Sequence, residues 1–382
     1  MSLVAGARHW YRKGGVRKLV GAATSFTLGQ VVVRLATGSY DTTLAELAPP
    51  PDQTQRWQFH DVTVTAVPDA CLFGPHATVI GSSRVYGDSL RESATKTRWM
   101  LHTAIRQRPR RVAKALRRGA WPADASHIDG PATLLSHHTG NYYHWFIEQV
   151  ASLWVLEQYE TATGQDGEVT IIVPSDAPPF VTAALSRAGV TARVYEWDGQ
   201  PLTMGEYIVP SLPAHRKPEL QWLRDRVGGT AVGEPGERWL YVSRADSDRG
   251  RRVVNRDALG QVFDAYDVSV VRPEQWSLAE EITQFADAAG VIGPHGAGLT
   301  AMVWLTDGAV VELQNEVYNP AYATLAESLN HTYDCVRCEA VNHPPQPKNA
   351  DMWVDPDAVR KALERATNAL EHPGQARNQS NK

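Results

Sequence analysis

Cysteine is nearly missing from this chain: 382 residues contain three, Cys71, Cys335 and Cys338. Three cannot make the even-numbered framework that staples small secreted folds. No apolar run approaches the ~20 residues that cross a bilayer. The start lacks the apolar core and small-residue cleavage pattern of a secretory signal. A full G-x-G-x-x-G is also missing, which argues against a bound NAD, and there are no internal repeats. These absences lead to the expectation of a cytoplasmic enzyme, peripheral to a membrane at most.

What is present fits about two domains with a large core, since 43% of residues are hydrophobic and 21% charged. The net charge of −4 excludes a general polyanion binder, so no nucleic-acid partner is expected. The charge is uneven. No acid precedes Asp41, while Arg8, Arg12, Lys13, Arg17, Lys18 and Arg34 do. A second basic run holds Arg106, Arg108, Arg110, Arg111, Lys114, Arg117 and Arg118. Each is either a solvated face or a contact with an anionic membrane surface.

Along the chain, residues 1–60 form a basic, irregular segment broken at Pro49-Pro50-Pro51. His60 to Ser89 alternates with turn residues and reads as hairpin strands. A basic helix is expected over 97–118, a strand at 134–136, and a long helix over 142–159. Strands and helices then alternate to a Gly- and Pro-rich linker, Gly228 to Gly236. Beyond it the rhythm is regular: strands at 239–243, 268–271, 291–292, 310–313 and 333–336, with helices between and a last one over 356–370. Such alternation predicts a parallel sheet covered on both faces. The domains expected are 61–230 and 237–345, followed by a terminal helix and polar tail over 346–382.

In open parallel sheets ligands sit beyond the carboxyl ends of the strands. Three blocks of chemistry fall there. Gly293-Pro294-His295-Gly296-Ala297-Gly298 follows an apolar run and opens a helix at Leu299-Thr300. Glycines let backbone approach a ligand, and free N–H groups at a helix start favour an anion. Tyr241-Val242-Ser243-Arg244 ends a strand, with Arg251 and Arg252 in the loop after it. Arginine clamps phosphate with paired hydrogen bonds. Gly140-Asn141-Tyr142-Tyr143-His144 starts a helix whose His144 and Glu148 share one face. A carboxylate beside an imidazole fixes its tautomer and raises its basicity, or simply ties the helix to its neighbours. Two weaker motifs complete the list. Cys335-Val-Arg-Cys338 has no second pair and lies in a strand-like stretch, so ordinary strand cysteines are expected. Asp246-Ser247-Asp248 lacks further acids beside it, and no metal site is expected.

Together the blocks resemble glycosyltransferase family 61. That family pairs G-N-x-x-H-x-x-x-(D/E) with a later Y-x-S-R and a closing H-G-A-G-L-T-N that runs into a strand ending in Glu. Here Glu148 supplies the first acid, Glu312 the last, and Ala301 stands in place of the final Asn. Asn319 and Tyr322 match an N-x-x-(Y/F) helix start. The resemblance spans roughly residues 130–340. It implies an α/β, GT-B-like fold: two Rossmann-like domains facing across a cleft. It implies inversion at the anomeric carbon without metal or cofactor, the nucleotide-sugar (a UDP-sugar) being substrate. The acceptor would be a hydroxyl of a polysaccharide, glycolipid or glycoprotein precursor. His144 would be the base with Glu148 orienting it, or Glu148 the base itself. Ser243, Arg244, His295, Gly296, Ala297, Gly298, Leu299, Thr300 and Glu312 would hold the donor, joined by Asn141, Arg251, Arg252 and Asn319. Glu312 would bond the ribose or merely cap its strand. Alternatives are a pyruvyl-type transferase on sugars and a catalytically silent sugar-binding or scaffold protein.

Overall fold

A computed structural model describes residues 55–59, 62–74, 78–81, 84–86, 110, 125–135, 140–211, 217–232 and 236–372. The basic segment before Asp41, the helix expected over 97–118 apart from Arg110, the turn at 136–139, part of the expected linker and the tail beyond 372 lie outside the described residues.

The chain divides into two compact units, and not at a single boundary near 230–237. The first holds 1–139, 155–177 and 192–212; the second holds 140–154, 178–191 and 213–382. The G-N-x-x-H helix, expected in the N-terminal domain, therefore belongs to the C-terminal unit. This matters for the site, because all three blocks then lie in one unit.

The first unit is built on an eight-stranded mixed sheet. Its strands are β1 (Gln55–Phe59), β2 (Val62–Phe73), β3 (Thr78–Gly81), β4 (Arg84–Tyr86), β5 (Ser126–Leu134), β6 (Thr170–Pro174), β7 (Val194–Trp197) and β8 (Leu202–Pro210). The order is β4-β3-β2-β8-β5-β6-β7, with β1 paired to β2. The hairpins expected over 60–89 are the antiparallel β1–β4 end. β8, β5, β6 and β7 run parallel. Its core includes Leu72, Val79, Leu134, Ile172, Met204 and Tyr207.

The second unit carries a five-stranded sheet: β9 (Arg238–Val242), β10 (Val268–Val271), β11 (Ala288–Pro294), β12 (Ala309–Gln314) and β13 (Thr332–Arg337). All neighbours are parallel and the order is β10-β9-β11-β12-β13. Counted within the unit this is 2-1-3-4-5, a doubly wound arrangement whose strand order reverses between β9 and β11. The β12 run, Ala-Val-Val-Glu-Leu-Gln, is wholly buried, as a central parallel strand should be. Helices punctuate the strands where the sequence provides caps. Ser277 accepts the Glu280 N–H while Glu280 Oε2 accepts the Ser277 N–H, a reciprocal box that starts helix Leu278–Ala286. Asp355 and Pro356 start helix Pro356–Glu371, whose Val359, Ala362, Leu363 and Ala366 form one buried stripe against the core.

Two helices differ from expectation. The stretch read as one helix over 142–159 contains a π-turn, His144–Val150, before α-helix Ser152–Thr163. The Ala151 N–H reaches five residues back to the Phe146 carbonyl. Such turns absorb an extra residue and are frequent at functional sites. The helix after the Gly-rich turn, Ala297–Trp304, is 3-10 in character. Its first hydrogen bond, Leu299 N–H to Gly296 O, leaves the N–H groups of Ala297 and Gly298 outside the helical ladder. C-x-x-C is an ordinary strand feature: Cys335 lies in β13 and Cys338 is buried just past it, both free.

Candidate active site

Strands β9 and β11 end side by side at the place where the sheet order reverses. A cleft of about 700 Å³ opens there, lined by Gly140, Asn141, Tyr143 and His144, by Arg244, Arg249 and Arg251, by His295 to Ala297, and by Asn319, Ala321 and Tyr322. A fifth stretch, Gln346 to Asn349, also lines it. Among the described residues no acidic side chain lines it, while Arg244, Arg249, Arg251 and Lys348 do.

The cationic wall has a specific construction. Gly250 takes a left-handed φ of 68°, and a Cβ there would sit 2.0 Å from the Asn349 carbonyl oxygen. The Arg251 N–H donates to that same oxygen at 3.2 Å. Arg252 then forks onto Asp351, Nη2 to Oδ2 at 2.6 Å, with Nε sharing both oxygens. These contacts pin the arginine loop to the segment after β13. Arg251 in turn donates from Nη1 to the His295 carbonyl at 2.8 Å. Arg244 donates from Nη2 to Ser247 Oγ at 2.8 Å. Its guanidinium lies over Gly296, where a Cβ would come within 2.3 Å of Nη1. A guanidinium has five N–H donors, and neither Arg244 nor Arg251 forms an ion pair with a carboxylate among the described residues. Burial, then Arg251, pushes Arg244 down to about 10. Burial likewise lowers Arg251. The cleft thus holds partly desolvated cations, with no carboxylate among its described lining residues.

His295 sits at the turn after β11. Its Nδ1 is 2.5 Å from Glu312 Oε1, and the Tyr333 hydroxyl donates to Glu312 Oε2 at 2.6 Å. Glu312 is fully buried. On the other side of the ring, Asn319 Nδ2 is 3.3 Å from Nε2. Asn319 cannot be turned over without loss, because its Oδ1 accepts the Ala321 N–H at 3.0 Å. Asn319 is therefore the donor, Nε2 the acceptor, and Nδ1 carries the proton to Glu312. Tyr322, buried edge-on to His295, donates from its hydroxyl to the Gly296 carbonyl at 2.7 Å.

On the remaining wall, Asn141 caps the incoming helix: its Oδ1 accepts the Tyr143 N–H at 3.1 Å and the His144 N–H at 3.5 Å. His144 Nδ1 lies 2.8 Å from Glu148 Oε1. Tyr143 packs edge-on against both His144 and Tyr322. Burial, then the Glu148 charge, raises Tyr143, and burial raises Tyr322, so both phenols stay neutral.

Of the residues singled out from sequence, the cleft brings together Asn141, His144, Arg244, Arg251, His295, Gly296, Ala297 and Asn319. Glu148 supports His144 from behind. The others are placed elsewhere. Ser243 is buried and accepts the Ala245 N–H, shaping the turn after β9. Gly298 packs on Val242, Leu299 is in the core, and Thr300 is buried beside the Tyr322 hydroxyl. Arg252 serves Asp351. Glu312 lies fully buried behind His295. Asp246 pairs with Arg272 at 2.8 Å. Among the described residues no group of three or more His, Cys, Asp or Glu is placed to hold a metal ion. Arg249, Gln346, Lys348 and Asn349 line the cleft without a sequence signal beyond a polar, basic loop.

Behind the site, the Tyr142 hydroxyl donates to the buried carboxyl of Glu281. Burial raises Glu281 to about 7. A raised carboxyl favours the folded state below its unfolded value, and that stability is lost as pH rises through the folded value. Glu281→Gln should remove a fall of roughly 3 kcal/mol in unfolding free energy between about pH 4.5 and pH 7. Urea titrations across that range measure it. An unchanged pH profile in the variant would exclude Glu281 as the source.

Residues 142–311 match the family model described as Glycosyltransferase 61. The resemblance read from the three blocks is thus borne out, and a glycosyltransferase activity is supported for the chain. Among curated proteins, none matches it. Among the described residues no helix is long and apolar enough to cross a membrane.

Proposed function

We propose that this chain, with its glycosyltransferase 61 segment at 142–311, is an inverting, metal-independent transferase. It moves a sugar from a UDP-sugar to a hydroxyl of a polysaccharide, glycolipid or glycoprotein precursor. A GT-B arrangement, a cytoplasmic location and contact with an anionic membrane belong to the same proposal. One observation carries the reading: among the described residues four cations and no carboxylate line a cleft that His144, backed by Glu148, also lines.

The chemistry follows from that pairing. A nucleoside diphosphate gains negative charge as it leaves. Fixed donors aimed at that charge are usually the largest catalytic contribution. Arg244, Arg251 and the N–H groups that open the 3-10 helix are such donors. The attacking hydroxyl must lose a proton, and His144, its Nδ1 turned to Glu148, offers Nε2 to take it.

A thermal-shift panel of UDP, GDP, ADP and CDP tests the reading. A ligand that binds only the folded form at 100 times its Kd stabilises by about 2.7 kcal/mol, and the base with the largest shift names the donor. Gly296→Ala should fold, because the three nearest atoms its Cβ would meet all belong to the Arg244 guanidinium, the far end of a long side chain, yet lose the shift as that guanidinium is displaced. No shift with any nucleotide, or an undiminished shift in the variant, would place the donor elsewhere.

A further inference from the structure

The pairing of His295 with a fully buried carboxylate is more than anion binding requires. Arg244, Arg251 and backbone N–H groups already supply donors. A histidine serving only as one more donor would not need Glu312 and Tyr333 behind it, nor an amide donor on its outer nitrogen. Geometry leaves Nε2 as an acceptor, so the imidazole of the free protein is neutral and presents a lone pair to a cleft built for oxygen anions. A phosphate oxygen cannot pair with that lone pair.

We propose that His295 takes up one proton from solvent at Nε2 when a diphosphate enters, with Glu312 as the positioning and charge-balancing residue. This rests on the reading of the cleft as a diphosphate site. The step is simple: a proton moves from water to Nε2, the contact with Asn319 is exchanged for one to a phosphate oxygen, and no ligand bond breaks. The groups facing His295 make the exchange one-directional. Arg251 from the β9 loop and Arg244 over Gly296 oppose a further cation in the empty cleft, and Arg249 and Lys348 add to them. On β12 and β13, Glu312 meets the inner nitrogen, with Tyr333 and Cys335 beside that carboxylate; only Glu312 among them is anionic, since burial holds the phenol and the thiol protonated. Tyr322 stays neutral beside the ring and His144 lines the opposite wall. An incoming diphosphate reverses the sign of the local potential, and the Glu312 carboxylate then favours the imidazolium. The proton is given back when the nucleotide leaves.

Calorimetric titration of the full chain with UDP-, GDP- and ADP-glucose in PIPES, HEPES and Tris tests this. The diphosphate in these probes is a diester and does not titrate near neutrality, so a buffer-dependent heat reports the protein. Wild type should take up close to one proton per bound ligand at pH 8, and affinity should fall up to about tenfold per pH unit above neutrality, as linkage requires. His295→Gln and Glu312→Gln should bind with uptake near zero and a flat pH profile. Asn319→Asp offers Nε2–H an acceptor before ligand arrives, so its uptake should also fall toward zero. A merely structural role for Asn319 would leave uptake unchanged. Binding by wild type without uptake, or uptake surviving in His295→Gln, overturns the proposal while leaving the diphosphate reading intact. Absence of binding by every probe overturns both.

Discussion

Arg244→Ala is expected to lower kcat/KM for the nucleotide-sugar by about 10³-fold, as removal of a single preorganised charge-stabilising donor does elsewhere. The folded state should not suffer. The Arg244 guanidinium is partly buried, held down to about 10 chiefly by that burial, and repelled by Arg251. Its protein partners are Ser247 Oγ at 2.8 Å and the Gly250 carbonyl at 3.5 Å. A desolvated cation with so little return opposes folding. Removing it should leave the melting temperature unchanged or raise it, the usual sign of a residue kept for function at the expense of stability. Arg244→Lys separates charge from shape. An ammonium keeps the charge but loses the fork that matches two phosphate oxygens, so activity should fall between the two. Steady-state kinetics with the donor identified by thermal shift, paired with melting of the ligand-free variants, measures both effects. Activity within a few-fold of wild type in Arg244→Ala would mean the diphosphate lies elsewhere.

The position of Arg244 was legible in the sequence; its company was not. Short apolar runs alternating with helices marked β9 to β13, and parallel-sheet logic placed the strand ends at one crevice. Three local motifs then fell on that edge. What could not be read is whatever depends on side chains meeting across long separations. Arg252 looks like Arg251 in sequence, yet Asp351, ninety-nine residues on, takes it out of the cleft. Lys348 lies in a segment without periodicity and reaches the cleft because Gly250 lets the loop touch Asn349. The unit boundary shows the same limit. A cut at the Gly-rich linker follows composition, but Gly140–Trp154 groups with the later unit, Phe146 meeting Trp304, which no local pattern reports.

Glu312 is an instructive intermediate case. A carboxylate inside a run of apolar residues rarely stays unpaired, because an isolated buried charge is expensive. The family resemblance implies a ribose contact or a strand cap for it. The parallel register sets Glu312 beside Gly293 on β11 and Cys335 on β13, at a fully covered position. Among the described residues its hydrogen-bonding partners there are the imidazole two residues past Gly293 and the Tyr333 hydroxyl. Burial sets the acid against the imidazole and the phenol.

The second histidine gives a separable result. His144→Ala is expected to lower kcat by about 10²- to 10⁴-fold, the range that a positioned general base contributes, while the nucleotide thermal shift stays as in wild type. Arg244 should affect both donor binding and turnover; His144 should affect turnover alone. Glu148 decides between two bases. Its carboxylate contacts His144 Nδ1 at 2.8 Å and is not among the cleft-lining residues. If His144 is the base, Glu148→Gln still offers an oxygen to Nδ1–H and keeps the tautomer, losing only the charge, so kcat should fall much less than in His144→Ala. If Glu148 itself takes the proton, the amide cannot, and Glu148→Gln should be the more damaging change. Comparing the two kcat values against one acceptor therefore assigns the base. Turnover at the wild-type rate in His144→Ala would remove this wall of the cleft from the reaction altogether.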